Sequence, residues 1–253
     1  MRLIATINVA RQANKRVELL QGDLTLPGAK HVFDLLIVSA FPNDYLPTVT
    51  SLIGALEGVG VSVAYLASTK ELDLRTNFSC WLSKALISSS LGFKRILCFE
   101  PRFRGSPPQV VEDIFQALTP ILGQLPEIKS AAMPIVATGD QGYSVKEMLD
   151  PLLSAAIYWM EQGLPLDVLK IVSYSDKQSM EAEAEFCTWA KEYENKSMPI
   201  SQRESDYDVF ISYAHENSSD ADKITGFLTE KNPKIKIFLD RKIINIGMAA
   251  GNI

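Results

Sequence analysis

The sequence predicts an α/β protein in which a mostly parallel sheet lies between helical layers. From residue 33 onward, short apolar segments of strand length alternate with amphipathic segments of helical length, which is the pattern of consecutive βα units. Residues 33–40 are almost wholly apolar, as expected for a strand that is covered on both faces. The 253 residues suffice for one large domain and a smaller piece.

The first half of the chain is predicted to begin with a pair of strands, after which strands and helices alternate. The strands are short apolar runs bounded by turn residues, at residues 3–9, 16–20, 33–40 and 61–66. A helix at residues 50–57 ends at Gly58 and Gly60. A second helix is predicted at residues 73–88, because apolar side chains such as Phe78 and Trp81 recur there at helical spacing.

The second half continues the alternation and then starts a new unit. Apolar runs predict strands at residues 93–99, 128–137 and 168–174. Amphipathic stretches predict helices at residues 110–122, 145–162 and 178–193. Residues 194–206 are polar and form a predicted linker. Beyond it follow a strand at 207–213, a helix at 219–231 and a strand at 235–239.

Composition and charge exclude several classes of protein. A net charge of −5 and a pI near 5.2, without a lysine or arginine stripe, argue against a nucleic-acid partner. No apolar segment is long enough to span a membrane. Cys80, Cys98 and Cys187 are widely spaced and form no ligand pair, so we expect free thiols, no metal site, and a reducing, cytoplasmic location.

The segment around residues 128–147 is the best candidate for a binding site. The predicted strand runs into Thr138-Gly139-Asp140-Gln141-Gly142-Tyr143, and Ser144 and Glu147 then have the spacing of a capping box. Glycines let the backbone approach a ligand closely, and a helix N-terminus attracts anions. The alternative interpretation is an ordinary tight turn between a strand and a helix.

Three loops are expected to meet at one edge of the sheet. They follow predicted strands at residues 41–45, 100–106 and 138–143, and ligands of open α/β sheets bind beyond the carboxyl ends of the strands. Arg102 and Arg104 would bring positive charge to that edge, unless they lie in a solvated loop.

Residues 17–187 resemble a macro domain, a module that binds ADP-ribose in many of its members. The resemblance rests on Gly22-Asp23-Leu24-Thr25 before an apolar strand, and on Ala137-Thr138-Gly139 with Gly142-Tyr143 after a later one. It implies that Asp23 accepts a hydrogen bond from the adenine amino group and that the second loop wraps a phosphate. The fold it implies is three-layered, α/β/α, with a mixed, mostly parallel sheet.

The chain departs from the family at its other phosphate loop. The family commonly has an asparagine-rich stretch and a run of glycines after the first long strand, where this chain has Ser39-Ala40-Phe41-Pro42-Asn43-Asp44-Tyr45. The ligand-binding residues that we predict are Asp23, Leu24, Phe41, Asn43, Asp44, Thr138, Gly139, Asp140, Gln141, Gly142 and Tyr143. The expected ligand is ADP-ribose or an NAD-derived nucleotide, with no cofactor and no assigned catalytic residue.

Residues 207–253 look like the first part of a Toll/interleukin-receptor (TIR) domain. Tyr207-Asp208-Val209-Phe210-Ile211-Ser212-Tyr213 matches its opening strand, a flavodoxin-like element, and Phe238-Leu239-Asp240 opens its second motif. The resemblance implies contacts with other TIR domains or self-association. It also implies that the NAD-cleaving glutamate of the enzymatic branch would lie beyond residue 253. The expected organisation is a macro-like domain at 1–193, a linker at 194–206 and an incomplete TIR domain at 207–253.

These features leave three functional hypotheses open. The first is a signalling or defence protein of bacterial type, in which the macro-like domain recognises the nucleotide and the TIR part makes protein contacts. The second is a macro-type ADP-ribosyl hydrolase, in which Asn43 and Asp44 position a water and Asp140 acts as the base. The third is a truncated chain without function.

Overall fold

A computed structural model describes residues 1–10, 12–26, 28–87, 91–101, 106–136, 138, 142–197, 208–211 and 217–239. The chain divides into two compact units, Met1–Glu194 and Asn195–Ile253. No helix among these residues is long and apolar enough to cross a bilayer.

The first unit is built on one mixed sheet, which the described residues form from eight strands. In chain order the strands are β1 (Arg2–Asn8), β2 (Arg16–Gln21), β3 (Leu35–Ser39), β4 (Leu72–Asp73), β5 (Cys80–Leu82), β6 (Arg95–Phe99), β7 (Ser130–Pro134) and β8 (Val168–Ser173). Their order across the sheet is β1-β2-β8-β7-β3-β6-β5-β4. The pairs from β2 to β6 are parallel, whereas β1, β5 and β4 are antiparallel additions at the two sides.

Helices cover both faces of this sheet, which confirms the predicted three-layered α/β fold. They are α1 (Leu52–Gly58), α2 (Val63–Ser68), α3 (Arg75–Phe78), α4 (Pro107–Gln124), α5 (Val145–Glu161) and α6 (Asp176–Ser197). Side chains of α4, α5 and α6 pack with Leu35, Ile37 and Met133 on one face. Side chains of α1 and α2 pack with Leu36 and Val38 on the other. Neighbouring residues of β3 thus enter opposite cores, so the strand is apolar throughout.

Two predicted elements are wrong. The predicted strand at 61–66 is helix α2, in which Val63 and Ala67 are buried one turn apart. A short apolar run fits a buried helix as well as a strand. The predicted helix at 73–88 is instead β4, α3 and β5. Its residues are bent into strands because β5 pairs with β6, and Trp81 lies opposite Cys98. This pairing with a distant segment overrides the local helical spacing.

The described part of the second unit is a single βαβ arrangement. Strand β9 (Val209–Ile211), helix α7 (Ser218–Lys231) and strand β10 (Ile237–Leu239) follow one another, as predicted from the sequence. The two strands are parallel, with Val209 opposite Ile237.

The amino ends of the central strands are joined by one carboxylate. Asp34, just before β3, accepts hydrogen bonds at Oδ2 from the N–H groups of Lys129 and Ser130 and from the Ser130 hydroxyl, at 3.0, 3.0 and 2.8 Å. Its Oδ1 pairs with the Lys94 ammonium at 2.7 Å. Burial raises the pKa of Asp34, but these donors outweigh it and leave the pKa below its usual value. Asp34 therefore connects β3 to the starts of both β6 and β7.

A buried ion pair lies between β2 and β8. Glu18 and Lys170 are neighbours in the parallel register, each is 7% exposed, and Lys170 Nζ is 2.6 Å from Glu18 Oε2. Arg16 Nε reaches Glu18 Oε1 at 2.6 Å. Burial raises the pKa of Glu18, but the bonds from Lys170 and Arg16 leave it below its usual value.

We predict that Glu18→Gln lowers the free energy of unfolding by about 3–5 kcal/mol, because it leaves the Lys170 ammonium buried without its counter-charge. The double variant Glu18→Leu/Lys170→Met should recover most of that loss, since an apolar pair carries no desolvation penalty. Urea titration at neutral pH measures both, with Glu181→Gln as the control in the exposed Lys177–Glu181 pair.

At acid pH, Glu18→Gln and the unsubstituted protein should have the same free energy of unfolding. The folded pKa of Glu18 lies below its unfolded value, so the stabilisation is complete above the unfolded pKa and is lost as the pH falls through the folded one. A double variant as unstable as Glu18→Gln alone would contradict this account.

Candidate functional site

The carboxyl ends of five described parallel strands lie along one edge of the sheet, in the order β2, β8, β7, β3, β6. Adjacent strands are about 4.8 Å apart, so the end of β2 is about 10 Å from the end of β7 and about 14 Å from that of β3. The loops that the sequence singled out leave from these ends. The structure therefore places Asp23, Thr138 and Asn43 along the same edge.

The loop after β2 presents Asp23 in a fixed turn. The N–H of Gly22 donates to Ser173 O at 2.9 Å, which ties the end of β2 to the end of β8. The Thr25 N–H and hydroxyl both donate to Asp23 Oδ1, at 2.8 and 2.6 Å. Since both bonds end on one oxygen, Oδ2 can accept from a ligand. The side chain of Leu24 does not face the solvent at this edge. It is only 6% exposed and packs in the core.

A glutamine links the loop after β7 to the end of β8. Gln178 Nε2 donates to Thr138 Oγ1 at 3.0 Å, and the Thr138 hydroxyl donates to Ile135 O at 2.7 Å. The N–H of Tyr174 donates to Gln178 Oε1 at 3.0 Å. Thr138 is thereby held by helix α6, a contact that no sequence motif indicated.

The start of helix α5 has the predicted geometry. Ser144 Oγ accepts from the Glu147 N–H, and the Glu147 carboxylate accepts from the Ser144 N–H, at 3.2 and 2.8 Å. Gly142 has a φ of 75°, a conformation that favours glycine. The predicted site residues Gly139, Asp140 and Gln141 lie outside the described residues, as do Arg102 and Arg104.

A cleft of about 340 Å³ opens where β7 and β8 end. Its lining includes Thr138 and Tyr143, which the sequence analysis predicted, and also Tyr174, Ser175 and Gln178. The Tyr174 side chain is 76% exposed directly after β8. An exposed aromatic ring at the end of a central strand offers a flat surface for stacking. Its position at a strand end is the signal that could have identified it.

The corner formed by the loops after β3 and β6 is organised around Glu100. This carboxylate is 3% exposed, and its described hydrogen bonds come from the Trp81 indole N–H and the Tyr45 hydroxyl, both at 2.5 Å to Oε1, and from the Asn43 N–H at 3.1 Å to Oε2. Burial and the bond to Glu100 raise the pKa of Tyr45 well above its usual value, so the phenol stays a donor.

Arg75 extends this corner toward the solvent. Its Nε and Nη2 donate to the two oxygens of Asp73, at 2.8 and 2.7 Å, and Nη1 donates to Asn43 Oδ1 at 2.7 Å. The guanidinium lowers the pKa of Asp73 to about 2. The predicted site residue Asn43 is therefore bound to the protein through both its main-chain N–H and its side-chain oxygen.

In the part of the chain that the structure describes, no cluster of three or more His, Cys, Asp or Glu side chains could hold a metal ion. The three cysteines are free thiols, and Cys80 and Cys98 are buried. Burial raises the pKa of Cys80 to about 12, so it is an unreactive core residue.

Solved macrodomain structures have the same fold. A macrodomain of Oceanobacillus iheyensis with ADP superposes with a TM-score of 0.56 at 14% identity, covering 74% of this chain and 98% of that one. A Trypanosoma brucei macrodomain in complex with ADP-ribose gives 0.51 at 17% identity, covering 68% of each chain. No protein-family model matches the sequence, and no curated protein does. At these identities the likeness establishes the fold.

We predict that Glu100→Ala lowers the free energy of unfolding by about 2–4 kcal/mol, because the buried Trp81 indole N–H and the Tyr45 hydroxyl lose their shared acceptor. Tyr45→Phe should cost about 1.5 kcal/mol, since Glu100 keeps its other donors. Urea titration measures both. Tyr65→Phe, at an exposed position, is the control and should change stability by less than about 0.5 kcal/mol. Equal stability of Glu100→Ala and the control would refute the anchoring role.

Proposed function

We propose that the first unit binds a nucleotide of the ADP-ribose or NAD-derived class along the carboxyl edge of its sheet. The observation that carries this proposal is the placement of Asp23 at the end of β2, on the same edge of the sheet as the end of β7, about 10 Å away, from which the chain leads to helix α5. The fold adds support, because macrodomains of two organisms that share it were solved with ADP or ADP-ribose.

The edge offers a separate partner for each part of such a ligand. Asp23 Oδ2 accepts a hydrogen bond from the amino group of the adenine, because an ionised carboxylate is an acceptor only. The exposed ring of Tyr174 stacks against the base or its ribose from the end of β8. The N-terminus of α5, with the main chain of Gly142 and Tyr143 just before it, receives the diphosphate.

A hydrolase is the weaker interpretation of the same edge. Asn43 Oδ1 already accepts from Arg75, and Asp44 Oδ1 accepts from the N–H of Leu46 at 3.1 Å. Asn43 is thus engaged by the protein, and Asp140, the expected general base, lies outside the described residues. We therefore favour binding over catalysis.

We also propose that the second unit makes contacts of the TIR type, with other TIR domains or with a second copy of this chain. Support comes from the sequence motifs around β9 and β10 and from the parallel pairing of these strands around α7. The protein would then connect nucleotide recognition to assembly, as a sensor or adaptor in NAD-linked signalling.

We predict that Asp23→Asn weakens ADP binding by about 10-fold, because a charge-assisted hydrogen bond to the adenine amino group is lost. Asparagine can still accept at Oδ1 from Thr25, so the turn should persist. Isothermal titration of the full chain measures the affinities. Inosine diphosphate, whose base has a carbonyl in place of the amino group, should bind the unsubstituted protein about 10-fold more weakly than ADP.

The same pair of ligands should also be titrated into Asp23→Asn. There, the ratio of the ADP affinity to the inosine diphosphate affinity should be close to one. Asp176→Asn, at the exposed start of α6, is the control and should leave ADP binding unchanged. Absence of measurable heat with ADP and with ADP-ribose would refute the proposed function. An unchanged preference for ADP in Asp23→Asn would refute the role of Asp23.

For the second unit, we predict that the full chain self-associates as its concentration rises, because TIR-type contacts are made between like domains. Light scattering coupled to size-exclusion chromatography measures the molar mass. A monomer at the highest soluble concentration would contradict self-association.

A further inference from the structure

We propose that Gln178 is a positioning residue of this site: its side-chain amide fixes the main chain of Tyr174 and so holds the exposed ring in place for the base of the ligand. The proposal rests on the function proposed above and adds to it a residue that acts through Tyr174. It follows from a chain of hydrogen bonds that joins the ends of β8 and β7, and every residue in that chain belongs to the described part of the protein.

The bridge lies where the ladder between β7 and β8 ends. The last paired residues of these two strands are Pro134 and Val172. Beyond them, the N–H of Tyr174 donates to Gln178 Oε1 at 3.0 Å, and Gln178 Nε2 donates to Thr138 Oγ1 at 3.0 Å. A glutamine amide has a donor and an acceptor, as a peptide group does. Gln178 therefore takes the place of a main-chain partner at the point where the two strands separate.

The residues on either side of Tyr174 are attached to the first turn of α6. The hydroxyl oxygens of Ser173 and Ser179 lie 2.8 Å apart, and both residues are buried. Ser175 O accepts from the N–H and the hydroxyl of Ser179, at 2.9 and 2.8 Å, and Ser175 Oγ accepts from the main-chain N–H of Gln178 at 3.2 Å. These contacts do not use the Gln178 side chain, so the start of α6 should persist when that side chain is replaced.

This geometry holds the main chain of Tyr174 while its ring stays accessible. Tyr174 is 76% exposed, so packing does little to fix the ring, and its position depends on the main chain that carries it. An aromatic side chain has only two rotatable angles, so a fixed main chain leaves few orientations for the ring. A group that is already in place for its ligand loses less entropy on binding. Gln178 thus adds to the affinity through Tyr174.

The test is a double-mutant cycle, measured by isothermal titration of the full chain with ADP. Gln178→Met, which keeps the length of the side chain and removes both hydrogen-bonding groups, should weaken ADP binding about 5-fold. Tyr174→Ala should weaken it about 10-fold through the loss of stacking. Because Gln178 acts through Tyr174, the double variant should bind ADP within about 2-fold of Tyr174→Ala alone. Two independent losses would instead multiply to about 50-fold.

A double variant near that product would overturn the inference, since Gln178 would then contact the ligand itself or support the fold in general. Full affinity in either single variant would also overturn it and leave the proposed function intact. Absence of ADP binding by the unsubstituted protein would overturn both. Gln116→Met, the same substitution at an exposed position of α4, is the control and should leave ADP binding unchanged.

Thr138 allows an independent measurement of the bridge. Thr138→Val removes the hydroxyl that accepts from Gln178 and should weaken ADP binding about 3-fold. Thr138→Ser keeps a hydroxyl and should recover most of that loss. Equal ADP affinities of Thr138→Val and Thr138→Ser would show that the bridge does not position Tyr174 and would overturn the inference.

Discussion

The alignment of the central parallel strands is the constraint on which the candidate site depends. Asp34 contributes to it from the opposite edge, by connecting β3 to the starts of β6 and β7. A parallel ladder that is fixed at its amino ends also brings its carboxyl ends together. Loops that are far apart in sequence thereby lie a few strand spacings from one another. The carboxylate at one end of the sheet thus helps to position the loops at the other.

The two sides of the carboxyl edge differ in how their polar groups are used. At β2 and β8, a turn and a glutamine bridge position Asp23, Thr138 and Tyr174 and leave polar and aromatic surface accessible. At β3 and β6, a buried carboxylate receives the hydrogen bonds of the Asn43 N–H, the Tyr45 hydroxyl and the Trp81 indole. A buried charge is tolerated only when it is well hydrogen-bonded, so Glu100 requires Tyr45, Trp81 and Asn43 as its donors. The same hydrogen bonds attach the loop after β3 to the end of β6.

The predicted site residues illustrate how far local sequence can be trusted. The capping box at Ser144 and the left-handed Gly142 were predicted correctly, because both depend on interactions within a few residues. Leu24 was predicted to bind the ligand, which stays a prediction; its side chain faces the core, since the direction of a side chain depends on the packing of its whole segment. Asn43 was expected to contact the ligand. That contact stays a prediction; in the structure Asn43 binds Glu100 and Arg75, which are separated from it by 57 and 32 positions.

By itself, the sequence determined the α/β class, the order of most elements and the loops that border the site, because apolar periodicity, glycines and capping residues act over a few residues. It also indicated Asp23, through a short motif that sets its own turn. Only the tertiary structure decided that residues 72–82 pair with β6, that Gln178 holds Thr138, and that Glu100 binds the loop after β3. Each of these depends on contacts between distant segments, and burial decides which of the available partners a polar group meets.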